Sequence, residues 1–491
     1  MNSIQKLAVV GGGSAGFVAA LVIKTKFPNM QVDVIRSKKI GIIGVGEGST
    51  EHWSTFTDFI GLKPEDFVRE CGATFKSGIM FTNWVKDRDY LQSVGAGYNQ
   101  LNHNYLYMYG HMLASGATPK DLVFSHCWDS VVNTWFVGQE DKSPSMQYHF
   151  DTHKLNDYLT KISIERGINV IDDEIIEVNT SGEHITGLVG EAGIYQHDFY
   201  IDSTGFKKLL INKLGAKWRS HGKYLKMKSA ITFALDYKDN TIPMWTRAHA
   251  MNAGWMFTIP VYDRTGNGYI FDSDFITADQ AKLEVEALLG HEITIGKQID
   301  FDPGAVDRPW IGNCCAIGLS ASFIEPLEAS SIGTSIQQVF MLCEKIINYT
   351  PAASKIYNDK MDIIIDNIRD FIALHYITGR EDTPFWRAVG ESEIPDSLAE
   401  HLAMFQTKLP RPDDFYGTQY TLFNAVHYLL VMHGLNLFDL NAIKEEYLLS
   451  VSPNKQQEAD TLIRSGNNQP CQTIPHRTML DVIRNLRKEN N

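Results

Sequence analysis

The stretch "KLAVVGGGSAGF", residues 6–17, decides the fold class of this chain. A short apolar run at residues 6–10 leads into a glycine turn, and an apolar stretch without proline continues from Ser14 to Phe27. A second strand-like run, "VDVIR", follows at residues 32–36. This order predicts a strand, a turn, a helix and a strand, which is the start of a Rossmann-type α/β module.

The glycine turn itself predicts a nucleotide site. Gly11, Gly13 and Gly16 satisfy G-x-G-x-x-G between a strand and a helix, with Ser14 and Ala15 inside the motif. Backbone amides and the helix N-terminus can then bind a pyrophosphate. A glycine-rich turn without a ligand is the alternative, and the flanking strand and helix disfavour it.

The end of the second strand departs from the dinucleotide pattern. An acidic residue usually holds the ribose there, but this strand ends in Arg36, followed by Ser37. Arg36 could bind a 2′-phosphate, which would indicate NADP, or pack over an adenine ring.

Two further stretches favour FAD as the cofactor. "GIIGVGEGST" at 41–50 is a second glycine-rich loop suited to lie against a flat ring, and "IDSTG" at 201–205 resembles another turn that contacts FAD. Because no second G-x-G-x-x-G is present to hold a nicotinamide cofactor, we expect a separate flavin reductase to supply the reduced FAD. The candidate cofactor residues in these stretches are Gly44, Val45, Gly46, Glu47, Asp202 and Gly205.

The rest of the chain predicts an α/β protein with an inserted antiparallel β-sheet. We expect an FAD-binding module over residues 1–350, interrupted by strand-rich segments at about 86–139 and 216–300. Residues 351–491 are helical and aromatic in pattern and are expected to form a substrate-side region.

Composition excludes several classes of partner. The 491 residues carry a net charge of −13 without a long basic run, which argues against nucleic acid as a partner. The six cysteines form no CxxC pair and no metal-ligand spacing, so we expect reduced, mostly buried thiols and no metal. No apolar stretch is long enough to span a bilayer, so a cytoplasmic protein is predicted without a membrane partner.

With these motifs in order, the chain resembles the flavin-dependent halogenases of the tryptophan-halogenase type. The resemblance extends to about residue 390 and marks a divergent member; a viral origin is compatible with it. The motifs that carry it are "GGGSAGF", "IGVGEGST", "TFKSGIMF", "YHFD", "GWMFTIP", "FIEPLEASSIG" and "HYITGREDTPFW".

The resemblance implies a reaction in two separate sites. Reduced FAD, oxygen and a halide ion give hypohalous acid, which moves to a pocket that holds an electron-rich aromatic ring. A wall of bulky residues keeps that ring away from the flavin. "GWMFTIP" matches the wall with Trp255, Ile259 and Pro260, while Phe257 replaces the second tryptophan of the family.

Lys76 and Glu328 match the family's catalytic pair. From the stretch "GATFKSGIMF" (72–81) alone, Lys76 could simply cover apolar surface while its ammonium reaches water. The resemblance implies instead that Lys76 relays the halogen, by hydrogen-bonding hypohalous acid or by forming a haloamine. Glu328 would polarise the acid or help remove the ring proton. The alternative interpretation is that Glu328 is an ordinary surface carboxylate.

The halide site is implied at Ser330 and Ser331, which align with a threonine and a glycine of the family. Because the glycine is replaced, the halide preference cannot be carried over. An FAD-dependent aromatic monooxygenase is the main alternative function, and a hydride-transferring flavoprotein is a second. The substrate is expected to be a small aromatic such as a phenol or an indole rather than free tryptophan, and the sequence leaves a homo-oligomer open.

Overall fold

The computed structural model describes residues 4–42, 44, 46–93, 109–118, 134–136, 147–415, 421–468 and 473–485. Val45, which was predicted to contact the cofactor, lies outside these residues, as does most of the first predicted insertion. Among the described helices, none combines the length and the apolar character that a membrane crossing requires.

The described chain contains strands and helices in alternation up to about residue 350 and mainly helices after it. The strands are β1 (Lys6–Val10), β2 (Gln31–Arg36), β3 (Glu47–Gly48), β4 (Thr74–Lys76), β5 (Gly78–Val85), β6 (Arg88–Ser93), β7 (Thr134–Phe136), β8 (Gln147–Phe150), β9 (Asn169–Asp172), β10 (Ile175–Ser181), β11 (His184–Gly190), β12 (Ile194–Tyr195), β13 (Phe199–Asp202), β14 (Trp218–Ser220), β15 (Ser229–Leu235), β16 (Trp245–Met251), β17 (Gly254–Pro260), β18 (Thr265–Phe271), β19 (Lys297–Asp300), β20 (Gly304–Val306), β21 (Trp310–Ile311), β22 (Cys314–Ala316), β23 (Ser322–Phe323) and β24 (Thr473–Pro475). The helices are α1 (Ser14–Lys26), α2 (His52–Ile60), α3 (Pro64–Glu70), α4 (Thr152–Glu165), α5 (Ala278–Leu289), α6 (Ser330–Cys343), α7 (Pro351–His375), α8 (Pro384–Gly390), α9 (Asp396–Phe405), α10 (Ala425–Gly434), α11 (Leu440–Ser450), α12 (Pro453–Asn468) and α13 (His476–Asn485).

The nucleotide-binding unit predicted from residues 6–36 is present as β1, α1 and β2. These strands belong to a six-stranded sheet in the order β21-β22-β13-β1-β2-β9, which is parallel except for β21. Helix α1 is buried along most of its length because Phe17, Leu21 and Val22 pack into the main core. The carboxyl ends of β1 and β13 therefore meet at the glycine loop.

The predicted antiparallel sheet has seven strands in the order β19-β15-β18-β17-β16-β5-β6. All of its pairings are antiparallel except the pairing of β16 with β5. Strand β5 begins at Gly78, ahead of the predicted insertion at 86. The fold class is confirmed, whereas the division into two domains at residue 350 stays a prediction.

A small sheet joins the glycine-rich loop at 41–50 to the strand of Lys76. Its order is β3-β8-β4, and its register sets Glu47 opposite Phe150 and Lys76 opposite Gln147. Because β8 lies between the two other strands, the predicted cofactor loop and the predicted catalytic lysine are held in one rigid unit.

The thiols fit the expected role where the structure describes them. Cys71, Cys314, Cys315 and Cys343 are free and buried. Burial raises the pKa of Cys71 above its usual range, and it raises the pKa of Cys314 for the same reason. These thiols therefore remain protonated and pack as small apolar side chains.

Candidate functional site

The glycine loop between β1 and α1 is closed tightly on one side and open on the other. A Cβ at Gly11, where φ is +116°, would lie 2.1 Å from the carbonyl oxygen of Ser203, and a Cβ at Gly16 would lie 2.2 Å from that of Gly11. A Cβ at Gly13 would meet no atom within 4 Å. Gly11 and Gly16 are thus required by the protein, while the space at Gly13 is available to a ligand.

The N-terminus of α1 suits an anion. Gly13 is its N-cap, no side chain caps it, and its first turn contains no acidic residue. The hydroxyl of Ser14 donates to Oε2 of the partly buried Glu47 at 3.4 Å, and burial raises the pKa of Glu47 to about 7. With this pKa the carboxyl group is only partly ionised at pH 7, which lowers its repulsion of a nearby pyrophosphate, so the loop fits a dinucleotide.

Arg36 lies beside the glycine loop but is held by the protein. A Cβ at Gly12 would lie 2.6 Å from both Cβ and Cδ of Arg36. The Nη1 of Arg36 donates to the hydroxyl of Thr160 at 3.3 Å. Ser37 follows it and is partly buried. Arg36 therefore covers the back of the loop, a packing role that the sequence did not predict.

The second predicted turn is organised by Asp202. Its carboxylate accepts hydrogen bonds from the backbone of Thr204, Leu210 and Ile211 and from the hydroxyl of Thr204. Gly205, with φ +68°, follows in this turn. Asp202 is fully buried and shapes the turn, and the open space at the partly buried Gly205 is available to a cofactor.

The glycines of the second loop allow close packing. A Cβ at Gly44, where φ is +136°, would lie 2.8 Å from the hydroxyl of Thr152, and a Cβ at Gly46 would lie 3.2 Å from Cγ2 of Ile259. The loop thus passes between the start of α4 and the wall strand β17. A Cβ at Gly318 would likewise lie too close to Cβ of Ala15, so this glycine also allows close packing. The sequence analysis missed Gly318.

Lys76 is buried rather than snorkelling. Its side chain is about 1% exposed, and its Nζ donates to the carbonyl oxygen of Ser49 at 3.0 Å. Burial lowers its pKa to about 8, and the negative charges of Glu328 and Glu51 limit that fall. The lysine therefore keeps its proton at pH 7 but gives it up more easily than an exposed lysine does.

Glu328 lies at the end of a 3-10 turn, Pro326–Glu328, immediately before helix α6. Its Oε1 is 2.8 Å from Nε2 of the fully buried His375, although the two atoms are not aligned for a regular hydrogen bond. Nδ1 of His375 is 2.7 Å from the carbonyl oxygen of Phe371, so Nδ1 must carry a proton.

Lys76 and Glu328 line the same small cavity. The structure thus brings the two residues together, while the roles predicted for them stay predictions. The remaining lining of the cavity includes both polar and apolar side chains. The other lining residues are Thr50, Glu51, Gln92, Gln147, Leu422, Phe423 and His427.

The predicted wall runs along β17. Trp255, Phe257 and Ile259 alternate along the strand and pack into the main core, whereas Met256 faces a different core cluster. The Phe257 ring lies over Gly268 of the neighbouring strand, where a Cβ would be 2.5 Å from it. The absence of a side chain at Gly268 thus leaves room for the ring of Phe257.

The wall is tied to the site on both sides. The carbonyl oxygen of Pro260 accepts from the hydroxyl of Thr74, two residues before Lys76, at 2.6 Å. Behind Trp255, Glu325 is fully buried and accepts from the hydroxyl of Tyr376 at 2.5 Å. Burial raises the pKa of Glu325 to about 8, so a neutral acid group supports the wall.

Ser330 and Ser331 are the first two residues of α6. They border a second cavity, together with Gly318, Ser322, Ile324, Thr334, Ile365 and Ile368. Ala329 before them adopts φ +52°, a left-handed conformation that turns the chain from Glu328 into the helix. Ser331 has no positive φ, so the position does not need the glycine of the family. The first turn of a helix offers amide groups without helical acceptors, which suits a halide.

Sequence reasoning missed several residues of the first cavity. Gln147 faces Lys76 only through the pairing of β8 with β4, and Gln92 arrives through the pairing of β6 with β5. Phe423 and His427 come from the stretch at 415–430, for which the sequence predicted only an aromatic-lined surface, and residues 416–420 of it lie outside the described ones. The one local sequence signal for these missed residues was "GEGSTE", because Glu51 directly follows the predicted cofactor loop at 41–50.

Comparison with known proteins agrees with this arrangement. A family model described as tryptophan halogenase matches residues 6–442. The chain is 29% identical to 7-chloro-L-tryptophan 6-halogenase KtzR of Kutzneria sp. (strain 744), over 93% of this chain and 97% of the relative. It is 28% identical to tryptophan 7-halogenase RebH of Lentzea aerocolonigenes, over 89% and 90%. The crystal structure of a tryptophan halogenase from Shewanella frigidimarina NCIMB 400 superposes with a TM-score of 0.88 at 25% identity, over 99% of this chain and 98% of that one.

Proposed function

Because this chain belongs to the tryptophan halogenase family and is a flavin-dependent halogenase, we propose that Lys76 relays the halogen to a small electron-rich aromatic ring. The observation that carries the proposal is the cavity shared by the buried Lys76 and Glu328. The cavity borders the end of the second glycine-rich loop, at Thr50, and Gly46 of the same loop lies against Ile259 of the wall strand.

The glycine loop would hold the cofactor. Gly13 and the amides at the start of α1 would bind the pyrophosphate, and the loop at Gly44 and Gly46 would be available to the flavin ring. When bound, reduced FAD would supply two of the four electrons that reduce oxygen, and the halide ion would supply the other two and become hypohalous acid. The protein's own residues then have to bind the halide, carry the acid and keep the two sites apart.

The start of α6 binds the halide. Ser330 and Ser331 present backbone amides at the positive end of the helix, beside the second cavity. Glu328 belongs to the same segment but lies on the first cavity. One short stretch of chain thus contributes to both sites, and Trp255 and Phe257 keep the organic substrate on the side of Lys76.

Lys76 positions hypohalous acid. With a pKa of about 8 it is mainly an ammonium at pH 7, and it can donate a hydrogen bond to the oxygen of the acid. This bond withdraws electrons from the halogen. The ring then attacks the halogen, a carbon–halogen bond forms, the oxygen–halogen bond breaks, and the leaving hydroxide takes the proton of the Lys76 ammonium to become water. The proton that the ring later loses restores the ammonium.

Glu328 removes the ring proton. After the halogen has been transferred, the ring carbon still holds its hydrogen, and loss of that proton restores aromaticity. The first cavity offers two carboxyl groups as proton acceptors, Glu328 and Glu51, and the resemblance to the family favours Glu328. His375 holds Glu328 in place through the contact at 2.8 Å and is therefore a positioning residue.

Mass spectrometry of the products tests this function. Wild-type protein given reduced FAD, oxygen and bromide should convert a phenol or an indole into its bromo derivative. Glu328→Gln should retain FAD and lower the product rate by about 10²- to 10⁴-fold, because one assisting acid–base group is removed. A hydroxylated product in place of a halogenated one would support the monooxygenase alternative.

A separate reductase is also part of the proposal. Of the two glycine-rich loops in the described residues, one fits the pyrophosphate of FAD, and no second fingerprint is present in the sequence for a nicotinamide. The pure chain should therefore consume neither NADH nor NADPH, and product should appear when a flavin reductase is added. Steady NADPH consumption by the chain alone would contradict this. The cytoplasmic location and any homo-oligomer stay predictions.

A further inference from the structure

The first cavity contains an amide group without a partner. Gln92 on β6 is 0% exposed, and within the described part of the chain neither its Oε1 nor its Nε2 has a hydrogen-bond partner. The side chain lines the cavity together with Lys76 and Glu328. A buried polar group in this state calls for an explanation, because nearly all such groups in folded proteins are hydrogen-bonded.

The neighbouring polar residues do not share this state. The amide of Gln147 reaches the carbonyl oxygen of Ser49 and the amide of Glu51, each at 3.0 Å, once its nitrogen is turned toward Ser49. Lys76 donates to the same carbonyl oxygen. Within the described residues the cavity thus satisfies Gln147 and Lys76, whereas Oε1 of Glu328 and both polar atoms of Gln92 make no hydrogen bond. Of these, Gln92 alone has both its donors and its acceptor left for something that enters the cavity.

The strand register places Gln92 close to the predicted reaction centre. Strand β5 begins two residues after Lys76, and its Ile79 pairs with Gln92 across the sheet. A ring that presents one carbon to Lys76 thus has Gln92 beside it. Leu422 and Phe423 supply the apolar contacts that such a ring needs.

We propose that Gln92 is a specificity-determining residue that hydrogen-bonds a polar substituent of the aromatic substrate and so selects which ring carbon faces Lys76. The inference rests on the proposed halogenase function of the same cavity. A carboxamide offers an acceptor oxygen and two donor hydrogens. It therefore favours rings that bear a free hydroxyl or a ring N–H, and it disfavours rings in which methylation has removed that donor.

Matched pairs of rings test this role. Phenol with anisole and indole with 1-methylindole differ by one methyl group on the polar atom, and comparing each pair in wild type and Gln92→Leu cancels their different intrinsic reactivities. We expect kcat/KM for phenol and indole to fall about 10- to 100-fold in Gln92→Leu, because a hydrogen bond is lost. The methylated rings should change by less than about 3-fold, since they lack the donor hydrogen that Oε1 of Gln92 accepts.

Two outcomes would overturn the inference in different ways. Equal losses of kcat/KM for both members of each pair would show that Gln92 does not recognise the hydrogen-bond donor of the ring. Absence of halogenated product from all four rings with wild-type protein would contradict the proposed function, and with it the role of Gln92.

Thermal unfolding of the ligand-free variants gives a readout that needs no substrate. Gln92→Leu should raise the melting temperature by about 1–3 °C, because an unsatisfied buried amide is replaced by an apolar side chain of similar size. Gln338→Leu is the matched control, since the equally buried Gln338 accepts from the amide of Gly318 at 2.8 Å and should lower the melting temperature. A decrease for Gln92→Leu would show that Gln92 holds the fold together, and would overturn the inference.

Discussion

At the scale of single residues, Lys76 is a charge that the fold buries at a cost. An ordinary lysine has a pKa of 10.5, and burial lowers that of Lys76 to about 8. A difference of this size corresponds to about 3 kcal/mol between the charged and neutral forms. A side chain kept under this penalty has a reason to be there, and the halogen relay supplies one.

This penalty predicts a stabilising substitution. The flavin-free Lys76→Met variant should unfold at pH 7 with a free energy about 2 kcal/mol higher than wild type, since the penalty of about 3 kcal/mol disappears while the bond to Ser49, worth about 1 kcal/mol, is lost. Urea unfolding measures it. Between pH 8 and pH 10.5 the unfolded chain binds more protons than the folded one, so wild type gains stability as pH rises and the advantage of Lys76→Met shrinks.

The control for this prediction is the exposed Lys39, which is paired with Glu191. Lys39→Met should give no gain at pH 7, because no burial penalty is removed. A Lys76→Met variant that is less stable than wild type at pH 7 would contradict the account of Lys76 as a buried ammonium.

At the scale of elements, the loop between β1 and α1 divides its glycines into two kinds. Gly11 and Gly16 are small because the protein's own backbone lies against them, at 2.1 and 2.2 Å from where a Cβ would be. Gly13 has extended backbone, with φ −78°, and open space around it. Only the latter position can report on a bound cofactor without disturbing the fold.

Gly13→Ala should therefore unfold like wild type and bind FAD at least about 10-fold more weakly, because the new methyl group occupies the space of the pyrophosphate. Gly11→Ala should instead lose stability, since a Cβ would overlap the carbonyl group of Ser203 and φ is +116°. Flavin fluorescence titration and urea unfolding of both variants measure these effects. Unchanged FAD affinity in Gly13→Ala would place the cofactor elsewhere.

At the scale of the whole molecule, prediction from sequence was strongest where chemistry is local. The loop at Gly11, Gly13 and Gly16 was predictable because its strand, turn and helix are contiguous. The wall was implied by the resemblance of "GWMFTIP" to the family's motif, and these residues form the single strand β17. The helical region after residue 350 was predictable from its pattern, and it is confirmed.

The rest of the cavity was not predictable, because distant pairings build it. Gln92 and Gln147 reach Lys76 through strand registers that no local pattern specifies. His375 reaches Glu328 from the last turn of α7, within "HYITGREDTPFW", where the sequence showed a motif but not its partner. Arg36 differs in another way: the sequence did not predict that its side chain packs over Gly12, and its contact with a nucleotide stays a prediction.

The central claim is that flavin oxidation and halogen transfer occur in two sites joined through Lys76. Lys76→Met, supplied with reduced FAD, oxygen, bromide and an accepted aromatic substrate, tests it by flavin absorbance and product mass spectrometry in one reaction. The account predicts FAD binding and flavin oxidation near the wild-type rate, with halogenated product reduced at least about 10²-fold. Halogenated product from folded Lys76→Met at a rate close to wild type would contradict it.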